Sequence, residues 1–341
     1  MRLIQYREAD GSDRVGAVDG DRVIDLTGDD GPATVHGIYY DCGGAAEGFE
    51  VALSRLLDRA PAPSLPLSGL LAGREGDGGP FPLKPASGPA GDPHALRIWL
   101  AGVTHEDSAR LREIESKQAT GDQVNVYEQK YRECAAGGRP ELFAKGDPDS
   151  VVGHGQTLTR PRDTQRLVPE TELVTLYGLD ERGRLERLGY TGGNDATDNG
   201  IEAANPLNLP QAKNWAGGCA SFGPVLVAAS EFDDGDVAVS CEIVRGGRRA
   251  AFKEGPTGQG NLNMPEGLFH MERSLFSRLP LHPRQLQVLY WGTPIVFAEA
   301  DLPGGLVAGD LVRMTFAGIG TLENAIADLP ETGQLESLRT R

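Results

Sequence analysis

Two glutamates separated by one residue, Glu170 and Glu172, could bind a metal ion together. They lie in 166–178, a segment rich in β-branched and apolar residues that closes on a glycine, and this composition predicts a strand. Residues i and i+2 of a strand share a face about 6.5–7 Å apart, so both carboxylates point the same way. Asp195 follows a second strand-like run, 188–191, and adds a third carboxylate. Such an all-oxygen set suits Mg²⁺, with Mn²⁺ or Ca²⁺ as alternatives, better than Zn²⁺.

An isolated pair of alternating glutamates is more often the solvated face of a strand. The sequence that follows favours a site instead, because 205–213 and 222–224 are polar and interrupted by prolines with few structural reasons to be so. Lys213 closes the first of these segments. It could neutralise the carboxylate of an anionic substrate, or act as a base if burial near a metal lowers its pKa. A surface lysine is the remaining alternative.

Several motifs occur in a fixed order along the chain. They are Arg139–Glu141, Pro169–Leu173, Gly189–Asp195, Ile201–Lys213, Gly309–Val312 and Gly318–Asn324. Together they resemble the fumarylacetoacetate hydrolase superfamily, and most closely its branch that dehydrates 2-keto-3-deoxy sugar acids such as arabinonate and xylonate derivatives. The resemblance runs from about residue 96 to residue 328 and is most specific in 205–213.

The resemblance implies a mixed β-rich α+β fold, a fumarylacetoacetate hydrolase-like distorted β-roll with the metal at its mouth. A small β/α module precedes it. We expect three parts: 1–93, the N-terminal module with a Pro/Gly-rich linker; 94–330, the catalytic domain; and 331–341, a polar C-terminal tail. The charge-rich stretch 106–133 is predicted to be helical and broken near Gly121, and the resemblance makes it a lid over the metal.

The resemblance also implies roles for individual residues. The metal ligands are Glu170, Glu172 and Asp195, and the catalytic residues are Glu141 and Lys213; substrate is bound by Gln211 and Thr293. The matching glutamate of the dehydratases faces the substrate and, with a raised pKa, could protonate a departing hydroxyl. The alternative role of Glu141 is to cap a turn after a proline. The alternative role of Gln211 is in the structure of its loop.

The implied reaction is dehydration of a 2-keto-3-deoxy-pentonate to 2-oxoglutarate semialdehyde and water. A bound divalent cation would stabilise the enolate formed when the C3 proton leaves. The chain departs from the dehydratase pattern at two positions that concern substrate recognition. Asn199 stands where these dehydratases usually have the arginine of Ser-Arg-Asp, and Asn208 replaces an aromatic residue. The substrate is therefore expected to be a pentonate or a different or longer sugar acid.

Two other functions stay open. The first is a C–C bond hydrolase of the acylpyruvate or fumarylacetoacetate type, which in this superfamily uses a His-x-x-Glu dyad in the lid. The chain has His105 followed by Glu106, with Glu113 and Glu115 further on, so that spacing is missing. The second is a non-catalytic sugar-acid binding protein, which would have no need of a proton-transferring pair.

Composition narrows the class of protein. Acidic residues outnumber basic ones by 49 to 33, giving a net charge of −16, which argues against nucleic-acid and anionic-membrane partners. Four cysteines are scattered without metal-ligand spacing, which predicts free thiols. We expect a cytoplasmic enzyme with no membrane span, acting on a small 2-oxo sugar acid. The family resemblance implies a homodimer or dimer of dimers.

Overall fold

The computed structural model describes residues 1–28, 31–60, 65–89, 92–121 and 126–331. The expected tail, 331–341, lies outside them apart from its first residue. The first third of the chain contains small strands and helices. They are β1 (Arg2–Arg7), β2 (Asp13–Asp19), β3 (Arg22–Asp25), α1 (Val35–Tyr40), α2 (Gly44–Glu47), α3 (Phe49–Leu57), β4 (Leu65–Pro66), α4 (Leu67–Ala72) and β5 (Phe81–Pro82).

The rest of the chain is dominated by strands, with a helical pair near its start. Its first half contains β6 (Leu96–Gly102), α5 (Glu106–Thr120), α6 (Val126–Ala135), β7 (Glu141–Ala144), β8 (Val151–Val152), β9 (Leu158–Arg160), β10 (Leu167–Val168), β11 (Thr171–Leu179), β12 (Leu185–Asp195) and β13 (Thr197–Asp198). Its second half contains α7 (Asn199–Ala204), α8 (Leu209–Lys213), β14 (Ala220–Ala228), β15 (Val237–Arg245), β16 (Arg248–Thr257), α9 (Leu268–Phe276), β17 (Leu286–Tyr290), β18 (Leu311–Phe316) and β19 (Gly320–Asp328).

The described strands form one large mixed sheet and two smaller ones. The large sheet has the order β4-β3-β2-β1-β14-β12-β11-β17-β6-β7, with β5 beside β1 and β8 beside β14. A five-stranded sheet has the order β16-β15-β18-β19-β9, and β10 pairs with β13. This is the β-rich mixed architecture that the sequence predicts. No helix among the described residues has the length and apolarity of a membrane span.

The N-terminal strands continue the catalytic sheet. β1 pairs antiparallel with β14, so that Leu3 lies opposite Leu226. A second connection is made by Glu186 on β12, whose carboxylate accepts hydrogen bonds from the Tyr39 hydroxyl at 3.0 Å and the Phe49 amide at 2.9 Å. The N-terminal strands therefore extend the sheet that carries the site, and α1 and α3 pack against one of its faces. A domain boundary near residue 93 stays a prediction.

β11 is buried on both faces, which explains its nearly continuous apolar sequence. Leu173 and Tyr177 belong to the core between the large and the five-stranded sheet, whereas Val174 and Leu176 belong to the core under the N-terminal helices. The two sets alternate regularly along β11, and the β-bulge opposite Leu176 and Tyr177 places its extra residue, Leu188, in β12. The strand is thus clamped between two cores and makes a rigid base for the glutamates at its start.

Two consecutive glycines let both cores approach β12 just before Asp195. A Cβ on Gly192 would lie 2.2 Å from the Phe316 ring of β18, and one on Gly193 would lie 2.5 Å from the Tyr290 ring of β17. Neither separation is physically tolerable. Glycine at these positions therefore allows the sheets to pack closely around the strand that ends on the expected metal ligand.

This close packing predicts that Gly192→Ala destabilises the protein by about 1–3 kcal/mol, because the new methyl group overpacks the contact with Phe316. Gly79→Ala is the matched control, since nothing lies within 4 Å of its Cβ position, and it should change stability by less than about 0.5 kcal/mol. Denaturant unfolding of the two variants measures the difference. Equal stabilities would contradict the packing argument.

Candidate metal centre

Glu170, Glu172 and Asp195 converge on one buried point. Each offers a carboxylate oxygen, and these oxygens lie within 4.8 Å of one another. The β11–β12 pairing brings them together, since Thr171 lies opposite Asn194. Just beyond that pair, the Asp195 amide donates to the Glu170 carbonyl at 3.0 Å. The acid at the start of one strand is thus held beside the acid at the end of the next.

Three cations contact two of these carboxylates. Lys213 Nζ donates to Glu170 Oε2 at 2.8 Å and to Asp195 Oδ2 at 2.7 Å. Lys145 Nζ, which has no solvent exposure, lies 2.5 Å from Asp195 Oδ1. Arg112 Nη2 donates to Glu170 Oε1. Basic side chains therefore surround this side of the cluster, and they come from α5, from the segment after β7 and from α8.

The third carboxylate has a different environment. Glu172 Oε2 accepts a hydrogen bond from the Gly292 amide at 2.7 Å. Burial, followed by the charges of Asp195 and Glu170, raises its pKa well above the ordinary value. The pKa of Glu170 is instead lowered to about 2, because Lys213 and Arg112 outweigh the effect of burial. The cluster thus has an uncompensated acid on the Glu172 side, and its all-oxygen donor set fits a hard divalent cation such as Mg²⁺.

Lys213 is held as a cation in this arrangement. Burial alone would lower its pKa, but Asp195 and Glu170 outweigh burial and raise it. Its Nζ also donates to Thr197 Oγ1 at 2.7 Å, so three oxygens contact one ammonium group. Of the two functional roles open from the sequence, the geometry favours neutralisation of negative charge over a base with lowered pKa.

The acids line a small inner cavity of about 30 Å³, which also contains Glu141 and Thr293. Glu141 lies on β7 opposite Gly102, where a Cβ would fall 2.6 Å from Glu141 Oε2, so glycine leaves room for the carboxyl group. Burial, reinforced by the charge of Glu202, raises the pKa of Glu141. A carboxyl group with a raised pKa therefore lies in the same cavity as the acidic cluster.

The two residues expected to bind substrate lie in different places. Thr293 lines the inner cavity, but its hydroxyl donates to the Ile295 carbonyl at 2.7 Å and accepts from the Ile295 amide at 3.2 Å, so it organises its own loop. Gln211 is exposed on α8 and is not among the described residues that line the cavity. The substrate-binding roles of both stay predictions.

Sequence reasoning missed a buried network above the cluster. Arg112, on α5, donates to Glu115 Oε2 at 2.7 Å and lies 3.1 Å from Glu202 Oε2. Asn199 donates to Glu115 Oε2 at 2.9 Å and accepts from Arg166 Nη1. The only local signal is the i, i+3 spacing of Arg112 and Glu115, which a charge-rich solvated helix would show equally.

The helical pair α5 and α6 covers this cavity, and its ends are firmly anchored. His105 precedes α5, and its ring nitrogens hydrogen-bond the hydroxyls of Thr104 at 2.9 Å and Thr257 at 3.2 Å. Gly121 ends α5 in a left-handed conformation with φ +64°, close to the predicted break. Glu113 accepts from the first amides of α6. We call α5 and α6 the lid.

Comparisons with known proteins agree on one family. The model of the fumarylacetoacetate (FAA) hydrolase C-terminal family matches residues 115–327. The chain is 35% identical over 229 residues to the 2-dehydro-3-deoxy-D-arabinonate dehydratase of Saccharolobus solfataricus, covering 66% of this chain and 70% of that one. It is 34% identical over 233 residues to a probable 2-keto-3-deoxyxylonate dehydratase of Haloferax volcanii, covering 68% and 72%.

Solved structures support the fold. A 2-keto-3-deoxy-D-arabinonate dehydratase complexed with magnesium and 2,5-dioxopentanoate superposes with a TM-score of 0.69 at 24% identity. The match covers 97% of this chain and 100% of that one.

The anchor of the lid predicts a specific pH dependence. Burial lowers the pKa of His105 from 6.5 to about 4, so the unfolded chain binds its proton before the folded one does. Neutral, buried His105 therefore contributes to the free energy of unfolding above pH 6.5. This contribution, about 3 kcal/mol, is lost as the pH falls towards 4. His105→Gln should therefore lose less stability than the wild type between pH 6.5 and 4 in denaturant unfolding. The exposed His94→Gln should follow the wild type; identical slopes for all three proteins would contradict the assignment.

Proposed function

The chain belongs to the fumarylacetoacetate hydrolase family, and on that basis we propose that it is a metal-dependent hydro-lyase of a 2-keto-3-deoxy sugar acid. A pentonate substrate would give 2-oxoglutarate semialdehyde and water. The observation that carries the proposal is the shared inner cavity, in which three converging carboxylates lie beside Glu141 and Lys213. The dehydratases among its relatives support the same reaction class.

Glu170, Glu172 and Asp195 would hold the metal, for which Mg²⁺ is the best fit to three carboxylate donors. When bound, the ion supplies a Lewis acid that polarises the oxygens of a 2-oxo acid. The fold orients these carboxylates before a metal binds. The Gly292 amide orients Glu172, and Lys145 holds one oxygen of Asp195.

Two residues of the inner cavity are suited to proton transfer and charge neutralisation. Burial raises the pKa of Glu141, which favours its protonated form, and the residue lines the cavity in which a substrate would lie. We assign it the donation of a proton to the C4 hydroxyl, which leaves as water when the C4–O bond breaks, and the resulting carboxylate takes up the proton released from C3, so that Glu141 ends in its starting form. Lys213, held as a cation, offsets the negative charge that an anionic substrate adds to an acidic site.

The lid residues that a C–C hydrolase could use are engaged in other contacts. His105 is hydrogen-bonded to two threonines, Glu113 caps α6, and Glu115 binds Arg112 and Arg166. None of the three is among the described residues lining the inner cavity. By family resemblance we also propose a cytoplasmic homodimer or dimer of dimers, which light scattering would test.

The proposed function predicts metal-dependent turnover. Incubation with 2-keto-3-deoxy-pentonates and Mg²⁺ should yield the semialdehyde, and EDTA should abolish its formation. Glu172→Ala should lower kcat/KM by at least about 100-fold and remove the thermal stabilisation by Mg²⁺, because one ligand is lost. Release of pyruvate from acylpyruvates, with no semialdehyde from the sugar acids, would place the chain among the hydrolases instead.

A second prediction separates proton transfer from metal binding. Glu141→Gln removes the acidic proton but leaves the three carboxylates intact, so kcat should fall about 100-fold or more while the thermal shift with Mg²⁺ is retained. The shift is measured by differential scanning fluorimetry on the same samples used for turnover. A variant with unchanged kcat would exclude Glu141 as the proton donor.

A further inference from the structure

Tyr127 is held rigidly at the start of α6. Its amide donates to Glu113 Oε2 at 3.0 Å, which ties it to the other lid helix. Its ring packs in a small apolar cluster with Val103, which follows β6, and Ala109 of α5. Contacts therefore hold both the backbone and the ring, and they limit where the hydroxyl group can lie.

The hydroxyl group of Tyr127 has no hydrogen-bond partner among the residues that the structure describes, although only 5% of the residue is exposed. Buried hydroxyl groups nearly always bind a partner, because leaving one unpaired is unfavourable. The residue lines both the inner cavity and an adjoining outer cavity of about 210 Å³. Burial and the charge of Glu202 raise its pKa, so the group is a neutral donor.

The outer cavity adjoins the inner one. Val103, Tyr127, Glu141 and Leu209 line both. A 2-oxo acid whose carboxylate end lies at the acidic cluster must extend its far end past Glu141 into the outer cavity. Tyr127 is thus placed beside the carbon atoms beyond the reacting C3 and C4.

The walls of the outer cavity favour a neutral chain end. Val103, Val126 and Leu209 are apolar, and the cation at the rim, Lys130, is already engaged. Its Nζ lies 3.3 Å from Glu133 Oε2 and 3.2 Å from the Arg139 carbonyl oxygen. A second carboxylate on the substrate would meet the negative charge of Glu133, whereas a terminal hydroxyl group needs only one hydrogen-bond partner.

The backbone beside Tyr127 is strained. Val103 has φ +57°, a conformation that a β-branched residue rarely adopts. It connects β6 to the lid and forms part of the surface against which Tyr127 packs. Strain of this kind persists only where the surrounding packing enforces it, and it clusters at ligand-binding positions.

We propose that Tyr127 Oη donates a hydrogen bond to the terminal hydroxyl group of the substrate, C5 in a pentonate. The enzyme thereby selects 2-keto-3-deoxy acids that end in a hydroxyl group over those that end in a methyl group or a second carboxylate. This inference rests on the proposed function, since it places the 2-oxo end of the substrate at the acidic cluster.

The test is equilibrium binding by calorimetry with Mg²⁺ present, using two ligands that cannot be dehydrated because they lack a C4 hydroxyl group. The wild type should bind 5-hydroxy-2-oxopentanoate about tenfold more tightly than 2-oxopentanoate. Tyr127→Phe keeps the ring and removes only Oη, so it should bind both ligands with equal affinity. Tyr131→Phe, on the same helix but outside both sets of described lining residues, should keep the tenfold difference.

Absence of a preference in the wild type would overturn the inference, and so would a preference that survives in Tyr127→Phe. A parallel loss of affinity for both ligands in that variant, with the preference unchanged, would indicate a purely structural role and would also overturn it. These outcomes are independent of turnover. If no 2-keto-3-deoxy acid is dehydrated while the binding preference is present and depends on Oη, the proposed reaction fails and the assignment of Tyr127 stands.

Discussion

Concentrating three carboxylates in a buried site is the constraint on which the rest of this structure depends. Like charges a few ångströms apart in a dry environment repel one another strongly, and leaving a buried charge unpaired is strongly destabilising. The fold offsets this with Lys213, Lys145 and Arg112, which contact Glu170 and Asp195. Glu172 receives a backbone amide instead. The remaining imbalance leaves the cluster suited to a divalent cation.

These cations come from three distant parts of the chain, so the site and the tertiary structure depend on each other. Arg112 belongs to the lid, Lys145 follows an edge strand, and Lys213 ends a short helix. The contact between Arg112 and Glu170 has a dynamic consequence. Opening of α5 would expose or unpair two buried charges, so motion of the lid must be coupled to the electrostatics of the cluster. The sheet, clamped by cores on both faces, is the fixed partner in any such motion.

The sequence predicted those features that are encoded locally. The i, i+2 spacing of Glu170 and Glu172 and the helix break at Gly121 depend on neighbouring residues, and the structure agrees with both. The strand predicted over 166–178 is divided into β10 and β11, and Glu170 lies just before β11. Features that depend on long-range pairing were missed. Arg112 is 58 residues from Glu170, and nothing in a charge-rich helix distinguishes it from a solvated arginine. The extension of the catalytic sheet by β1 is equally non-local, because strand patterns do not specify their partners.

Substrate recognition is where the departure from the dehydratase pattern matters most. At the position where the pattern has an arginine, Asn199 is neutral and is held between Arg166 and Glu115. An arginine contacts the acidic cluster from the lid instead, since Arg112 pairs directly with Glu170. The same guanidinium group also pairs with Glu115 and Glu202. The arginine at the site is thus carried by a covering helix, whereas the position of the pattern's arginine holds a neutral side chain. Because Tyr127 lies on the other lid helix, the groups available to distinguish one sugar acid from another are concentrated in the element that closes over the substrate.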